Sequence, residues 1–180
     1  MKRLFFLIIV STVISIKSGA QSYFTRDGQI SFFSKSPVED IKAENYQVLA
    51  IVDPVHNKLA FNLLIKGFLF EKQLMQDHFN EDVMESDRFP KATFTGSMNE
   101  TVKEGLNHVH LTGRLTIHGI TKPLNTMADL ELKNKELRGT CKFKILLADY
   151  KIKIPAVLKN NIAPDILVTV NVDCKLVQKK

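Results

Sequence analysis

From residue 21 onward, apolar and polar positions alternate with a period of two through most of the chain. Ile166, Val168, Val170, Val172, Cys174 and Leu176 are separated by Leu167, Thr169, Asn171, Asp173 and Lys175, the pattern of an antiparallel strand with one core face and one largely polar face. Cys141, Phe143, Ile145 and Leu147 alternate with Lys142 and Lys144 in the same way, and Val109, Leu111, Leu115 and Ile117 alternate with His108, His110, Arg114, Thr116 and His118. Runs over roughly 28–34, 47–54, 57–66, 91–99 and 122–132 bring the expected total to about eight strands. Asp53-Pro54-Val55-His56-Asn57-Lys58 and Lys133-Asn134-Lys135 have the composition of tight reversals. Short turns between one-face-apolar strands predict an all-β, antiparallel meander rather than a parallel sheet with crossover helices. Eight such strands close readily into a barrel.

Two excursions interrupt the meander. Leu74, Met75, His78 and Phe79 recur at helical spacing, with Gln73, Gln76, Asp77 and Asn80 between them, and predict a short helical insertion. Pro155 can open a single turn containing Val157 and Leu158, which Pro164 ends before the last strand. For the final hairpin, placing Cys141 opposite Cys174 brings Phe143 opposite Val172 and Ile145 opposite Val170, apolar face to apolar face. That register predicts adjacent cysteines and a disulfide as an added constraint.

Composition then fixes the scale: 180 residues, 44% of them hydrophobic, with 8 Gly and 6 Pro, make one globular domain. Residues 1–20 read as a secretory signal, with Lys2 and Arg3 before the apolar run Leu4 to Ile16 and the small residues Ser18-Gly19-Ala20 at the cleavage point. Cleavage after Ala20 leaves a β-barrel domain over 21–180, periplasmic or secreted, where a disulfide persists. Removing Lys2, Arg3 and Lys17 from the 25 basic residues leaves 22 against 19 acidic, a charge of +3. That small excess, with acidic residues throughout, gives no continuous basic track for nucleic acid. Lys142, Lys144, Lys151 and Lys153 are expected on a solvated outer face, with membrane-surface contact to anionic headgroups as the alternative.

Catalytic signatures are missing: the sequence holds no H-E-x-x-H, no G-x-S-x-G, no phosphate-cradling loop and no dinucleotide fingerprint. His108 and His110 share a strand face, but two imidazoles do not complete a metal site. No catalytic residue, metal or cofactor is therefore expected. The abundant Phe, Leu, Ile and Val either fill the barrel or line a cavity for one apolar ligand. Composition leaves both open.

Two longer stretches carry a resemblance. Phe79-Asn80-Glu81-Asp82-Val83-Met84-Glu85-Ser86-Asp87-Arg88-Phe89-Pro90-Lys91-Ala92-Thr93-Phe94, and then Gly113-Arg114-Leu115-Thr116-Ile117-His118-Gly119-Ile120-Thr121-Lys122-Pro123-Leu124, resemble two blocks of the YceI-like family of secreted and periplasmic bacterial proteins. The resemblance implies an extended, lipocalin-like eight-stranded barrel with a helical insertion. It also implies a ligand inside: an isoprenoid, a quinone-like molecule or a fatty-chain lipid. The alternative is a structural or stress-associated interaction module with a filled barrel. On the carrier reading, Phe61, Leu63, Phe94, Val109 and Leu111 are expected to line the cavity with Phe143 and Val170, beneath Leu74, Met75 and Phe79 of the insertion. His78, His118 and Lys122 are rim candidates for the ligand's polar head. Within the His-Gly-x-Thr-Lys-Pro block a structural role competes with that one, because Gly119 suits a turn closed to β-carbon residues and Thr121 or His118 can hydrogen-bond it.

Overall fold

The alternating segments form eight long strands, β1 (Tyr23–Ser34), β2 (Ile41–Asp53), β3 (Lys58–Leu64), β5 (Lys91–Met98), β6 (Gly105–Ile117), β7 (Ile120–Lys133), β8 (Glu136–Leu146) and β9 (Asp165–Leu176), with a two-residue strand β4 (Leu69–Phe70) between β3 and β5. The structure, a computed structural model, describes residues 21–35, 37, 40–155 and 162–177. The export signal expected over 1–20 and the turn expected at Val157 and Leu158 lie outside the described residues.

Every pairing is antiparallel, and β1 joins both β9 and β2, which closes the eight long strands into a barrel. Closure leaves no free edge where the ladders are complete. The β6–β7 and β7–β8 hairpins turn through two residues each, His118-Gly119 and Asn134-Lys135. All four have positive φ, the geometry whose twist matches that of the flanking strands. Gly119, at φ +72, also leaves room for a neighbour, since a β-carbon there would stand 2.8 Å from Cε1 of Phe89. Thr116 and Thr121 are hydrogen-bonded hydroxyl to hydroxyl at 2.8 Å just below this turn.

Strands β3 and β4 lie along the same side of β2, separated by a 3₁₀ turn at Ile65–Gly67. Asn45 fills that break. Its Nδ2 donates to the Leu64 carbonyl at 2.9 Å and its Oδ1 accepts from the Gln47 N–H at 2.8 Å, in a side chain with no exposed surface.

The two ends of the barrel differ. At the end bearing the β2–β3, β5–β6 and β7–β8 connections, Tyr23, Val52, Met98, Val109, Leu130, Leu137 and Cys174 are all buried and pack solidly. Burying a side chain of this size contributes about 1.5–3 kcal/mol, so this end anchors the fold. The other end carries the insertion, α1 (Gln73–His78) running on into a π-helical turn at Phe79–Val83, and a 3₁₀ turn at Leu147–Tyr150.

Strands β8 and β9 are antiparallel neighbours as expected, but the cysteine register is corrected. Cys141 faces Val170 and Cys174 faces Leu137, so the two cysteines sit four rungs apart and both are free thiols. At about 3.4 Å per residue the offset is more than 13 Å, beyond the ~7 Å that a disulfide tolerates between α-carbons. Apolar alternation fixes only which face is inward, and a four-residue shift preserves it. On the outer face the observed register sets Glu136 against Lys175 and Arg138 against Asp173, the latter an exposed ion pair at 3.1 Å that adds little by itself. Burial pushes the Cys174 thiol up to about 12, with the Asp173 carboxylate adding to the shift. Alkylation of native protein at pH 8 is accordingly expected to label the half-buried Cys141 first and Cys174 only after unfolding. A non-reduced mass two hydrogens short would overturn the register.

Candidate functional site: two apolar chambers in the upper barrel

The choice between a filled and a hollow barrel has a divided answer. Above the packed end lies a chamber of about 230 Å³ whose walls are almost wholly apolar. Ile30 and Phe32 of β1, Leu115 and Ile117 of β6 and Phe143 and Ile145 of β8 face into it because alternation turns these positions inward. The insertion roofs it with Met75, His78, Phe79, Val83 and Met84. A second chamber, of about 80 Å³, continues toward the packed end between Phe61, Phe94, Leu111, Thr126, Cys141 and Val170. Ile30, Leu63, Ala92, Leu115 and Phe143 line both, so the two adjoin.

The roof is held by rings. Phe79 lies 5.5 Å from Phe32, 5.7 Å from Phe68 and 5.0 Å from Phe70, centroid to centroid, and Phe32 in turn lies 5.2 Å from Phe68. Tilted and offset pairs at these separations are attractive beyond the area they bury. Phe32, Phe68 and Phe70 were not among the residues expected from the sequence. Alternation in β1 points Phe32 inward, but only the β3–β4 break brings Phe68 and Phe70 beneath the insertion.

Of the cavity residues expected from the sequence, Phe61, Leu63, Met75, Phe79, Phe94, Leu111, Phe143 and Val170 line one chamber or both. Two do not. Leu74 is 67% exposed on the outer side of α1, because the helix is rotated so that Met75, His78 and Phe79 face the barrel. Val109 is fully buried but lies within the packed end and lines neither chamber.

The rim candidates separate as well. His78 lines the first chamber and its Nδ1 lies 2.7 Å from Asp82 Oδ2. His118 lines neither chamber. It is buried against Phe89 at 4.2 Å, with Nδ1 3.3 Å from the Tyr150 carbonyl and Nε2 3.3 Å from Glu85 Oε1. It thereby ties the β6–β7 turn to the end of the insertion and to the 147–150 turn. Lys122 stands at the third residue-pair of that hairpin, across from Leu115, exposed and lining neither chamber. A further polar group at the mouth is buried Ser34, whose Oγ accepts from the Ala163 N–H at 2.9 Å.

The remaining chemistry is sparse. Cys141 is the one thiol on a chamber wall; its Sγ donates to the Met127 carbonyl at 3.3 Å, and burial raises its pKa, which the Thr126 hydroxyl partly offsets. His108 and His110 lie on the outer surface, paired with Asp129 at 2.6 Å and Glu100 at 3.0 Å. Among the described residues, no group of three or more His, Cys, Asp and Glu side chains could hold a metal ion.

A closed antiparallel barrel, packed at one end and hollow at the other, with a helical roof over the hollow, belongs to the class built around an internal apolar chamber. Residues 12–174 match the YceI-like domain, and the chain belongs to that family. A polyisoprenoid-binding domain from Saccharophagus degradans, implicated in plant cell wall breakdown, superposes with a TM-score of 0.77 at 12% identity, over 88% of this chain and 100% of that one. BcnA of Burkholderia cenocepacia gives 0.72 at 14% identity over 81% and 95% of the two chains. The YCEI protein of Campylobacter jejuni gives 0.57 at 18% identity over 99% and 94%. No curated protein matches the chain.

Proposed function

We propose that this protein is an exported, non-enzymatic carrier that holds a long-chain isoprenoid, quinone-like molecule or fatty-chain lipid with its apolar chain inside the barrel. The observation that carries the reading is the pair of adjoining apolar chambers above a packed floor. The first, at about 230 Å³, exceeds the ~150 Å³ apolar cavity that suffices to bind benzene. Transfer of a chain from water contributes about 0.8 kcal/mol per buried methylene, so each pair of carbons seated adds about tenfold to retention. Among the described residues, His78 and Ser34 are the polar side chains that line the first chamber, and they are the candidates to meet a polar head. Family membership and the likeness to a polyisoprenoid-binding domain support the same ligand class. Export through residues 1–20, with cleavage after Ala20, places the carrier in the periplasm or outside the cell.

Native mass spectrometry of the protein purified from its own host, followed by organic extraction, tests this. A co-purifying lipid that the emptied protein takes up again is the expected result. A protein that is empty after mild isolation and takes up no prenyl, quinone or fatty-acyl probe would overturn it.

A further inference from the structure

We propose that Phe94, laid across the paired glycines Gly96 and Gly113, sets the length of chain that the barrel accepts, and that the second chamber seats the far end of that chain. This rests on the carrier reading above and adds to it a direction of entry and a residue that measures length. Phe94 pairs with Leu115 and Gly96 pairs with Gly113 on alternate rungs of β5 and β6, with Thr95 and Arg114 between them, so all four positions share the inward face. A β-carbon at Gly96 would stand 2.7 Å from Cζ of Phe94, and one at Gly113 2.5 Å from the same atom and 2.7 Å from Cε2. No side chain coexists with a ring at such distances. The ring therefore rests in a recess that only two facing glycines provide, flat against the wall and pointing toward the packed end.

What the recess keeps clear is the second chamber. Phe61 approaches Phe94 from β3 with centroids 6.4 Å apart, and both rings line that chamber. Were either glycine replaced, the Phe94 ring would have to swing into the lumen and occupy it. Beyond the chamber the way is shut by Met98, Val109, Leu130 and Leu137, all buried in the packed end. A chain entering from the mouth thus stops at the level of Phe94 and Leu111. The space there, about 80 Å³, is roughly half the ~150 Å³ cavity that accommodates benzene. It takes a straight or methyl-branched chain end and excludes a ring, so a cyclic head stays in the first chamber near His78. The ligand class is a single chain inserted tail first.

The test is a length series. Delipidated wild type, Phe94→Ala and Cys141→Leu are each offered straight-chain fatty acids of increasing length, and affinity is read by native mass spectrometry, with melting curves confirming that each variant is folded. Wild type should show a length beyond which affinity stops rising. Phe94→Ala should move that limit to longer acids, with at least a tenfold gain for acids just past the wild-type limit. Cys141→Leu fills the same chamber from the opposite wall and should lose at least tenfold for the longest accepted acids while leaving shorter ones unchanged. Gly113→Ala should act like Cys141→Leu; because its β-carbon also meets the Thr95 carbonyl at 2.5 Å, the cysteine variant decides should it not fold. An identical limit in wild type and both variants, in a protein that does bind chains, overturns the role of Phe94 and leaves the carrier reading standing. A wild type that binds no acid or prenyl alcohol of any length is a failure of the carrier reading itself, and this proposal falls with it.

Discussion

Replacing Phe79 by alanine is expected to speed release of a bound lipid at least tenfold while the barrel stays folded. The reason lies in how weakly α1 can hold itself. It has six residues, no side-chain cap at its start and no buried residue of its own, and isolated helices shorter than about 12 residues are marginal in water. Its position over the chamber depends on what it packs against: Gln76 Oε1 accepts from the Phe70 N–H at 3.2 Å, and Phe79, directly after the helix, contacts Phe32, Phe68 and Phe70. Each such aromatic pair contributes roughly 0.5–1.5 kcal/mol beyond area burial. Losing three exceeds the roughly 1.4 kcal/mol that corresponds to a tenfold rate change. The strand ladders and the packed end are untouched, so the melting temperature should fall by only a few degrees. Transfer of lipid to acceptor vesicles, timed for wild type and variant, measures the release. Equal rates with a lowered melting temperature would make the insertion a plug rather than a gate.

The largest loss of stability should come from Asn45→Ala. The wild-type side chain satisfies the Leu64 carbonyl and the Gln47 N–H where β3 gives way to β4. Alanine removes both bonds, which are partly buried because Leu64 and Gln47 themselves stand at exposed positions, and each contributes about 0.5–1.5 kcal/mol net. A destabilisation of roughly 1–3 kcal/mol is therefore expected, read as a lower urea midpoint at unchanged slope. Asn45→Asp should cost more, because it retains the acceptor, loses the donor to Leu64 and buries a charge. A midpoint for Asn45→Ala within error of wild type would show that water replaces the amide and that the break does not depend on it.

The sequence shows Phe79 on a helical stripe, and with it the expectation that its loss loosens retention; the three rings that hold it and the role of Asn45 are legible only in the structure. Alternation is a local signal: it identified the inward faces of β5, β6, β8 and β9, and with them Phe94, Leu111, Phe143 and Val170 as cavity residues. It carries parity but not register, which is why Cys141 and Cys174 were set opposite each other when four rungs separate them. A shift of four residues keeps every apolar side chain on the inner face, so apolar patterning cannot tell the two registers apart. Helical spacing similarly found α1 but not its rotation, so Leu74 was grouped with Met75 and Phe79 although it faces away. Asn45 was illegible because the feature it serves, an interruption between strands distant from it in sequence, exists only once β2, β3 and β4 are aligned. His118 was legible as a turn residue; its contacts with Phe89, Tyr150 and Glu85 come from three separate segments.

Barrel closure also settles where an attachment can be made without harm. Strands β1 and β9 are neighbours, Tyr23 lies across from Leu176, and the Val177 N–H donates to the Ser22 carbonyl at 2.8 Å. Both residues sit beside the packed end, a full strand length from the insertion. A tag, tether or fused partner joined at either of these positions would hang the molecule with its opening directed away from the support. The same adjacency makes a circularly permuted chain feasible, with Ser22 and Val177 bridged by a few residues and new ends cut in the exposed Asn134-Lys135 turn, a rearrangement that would preserve every inward-facing side chain of the upper barrel.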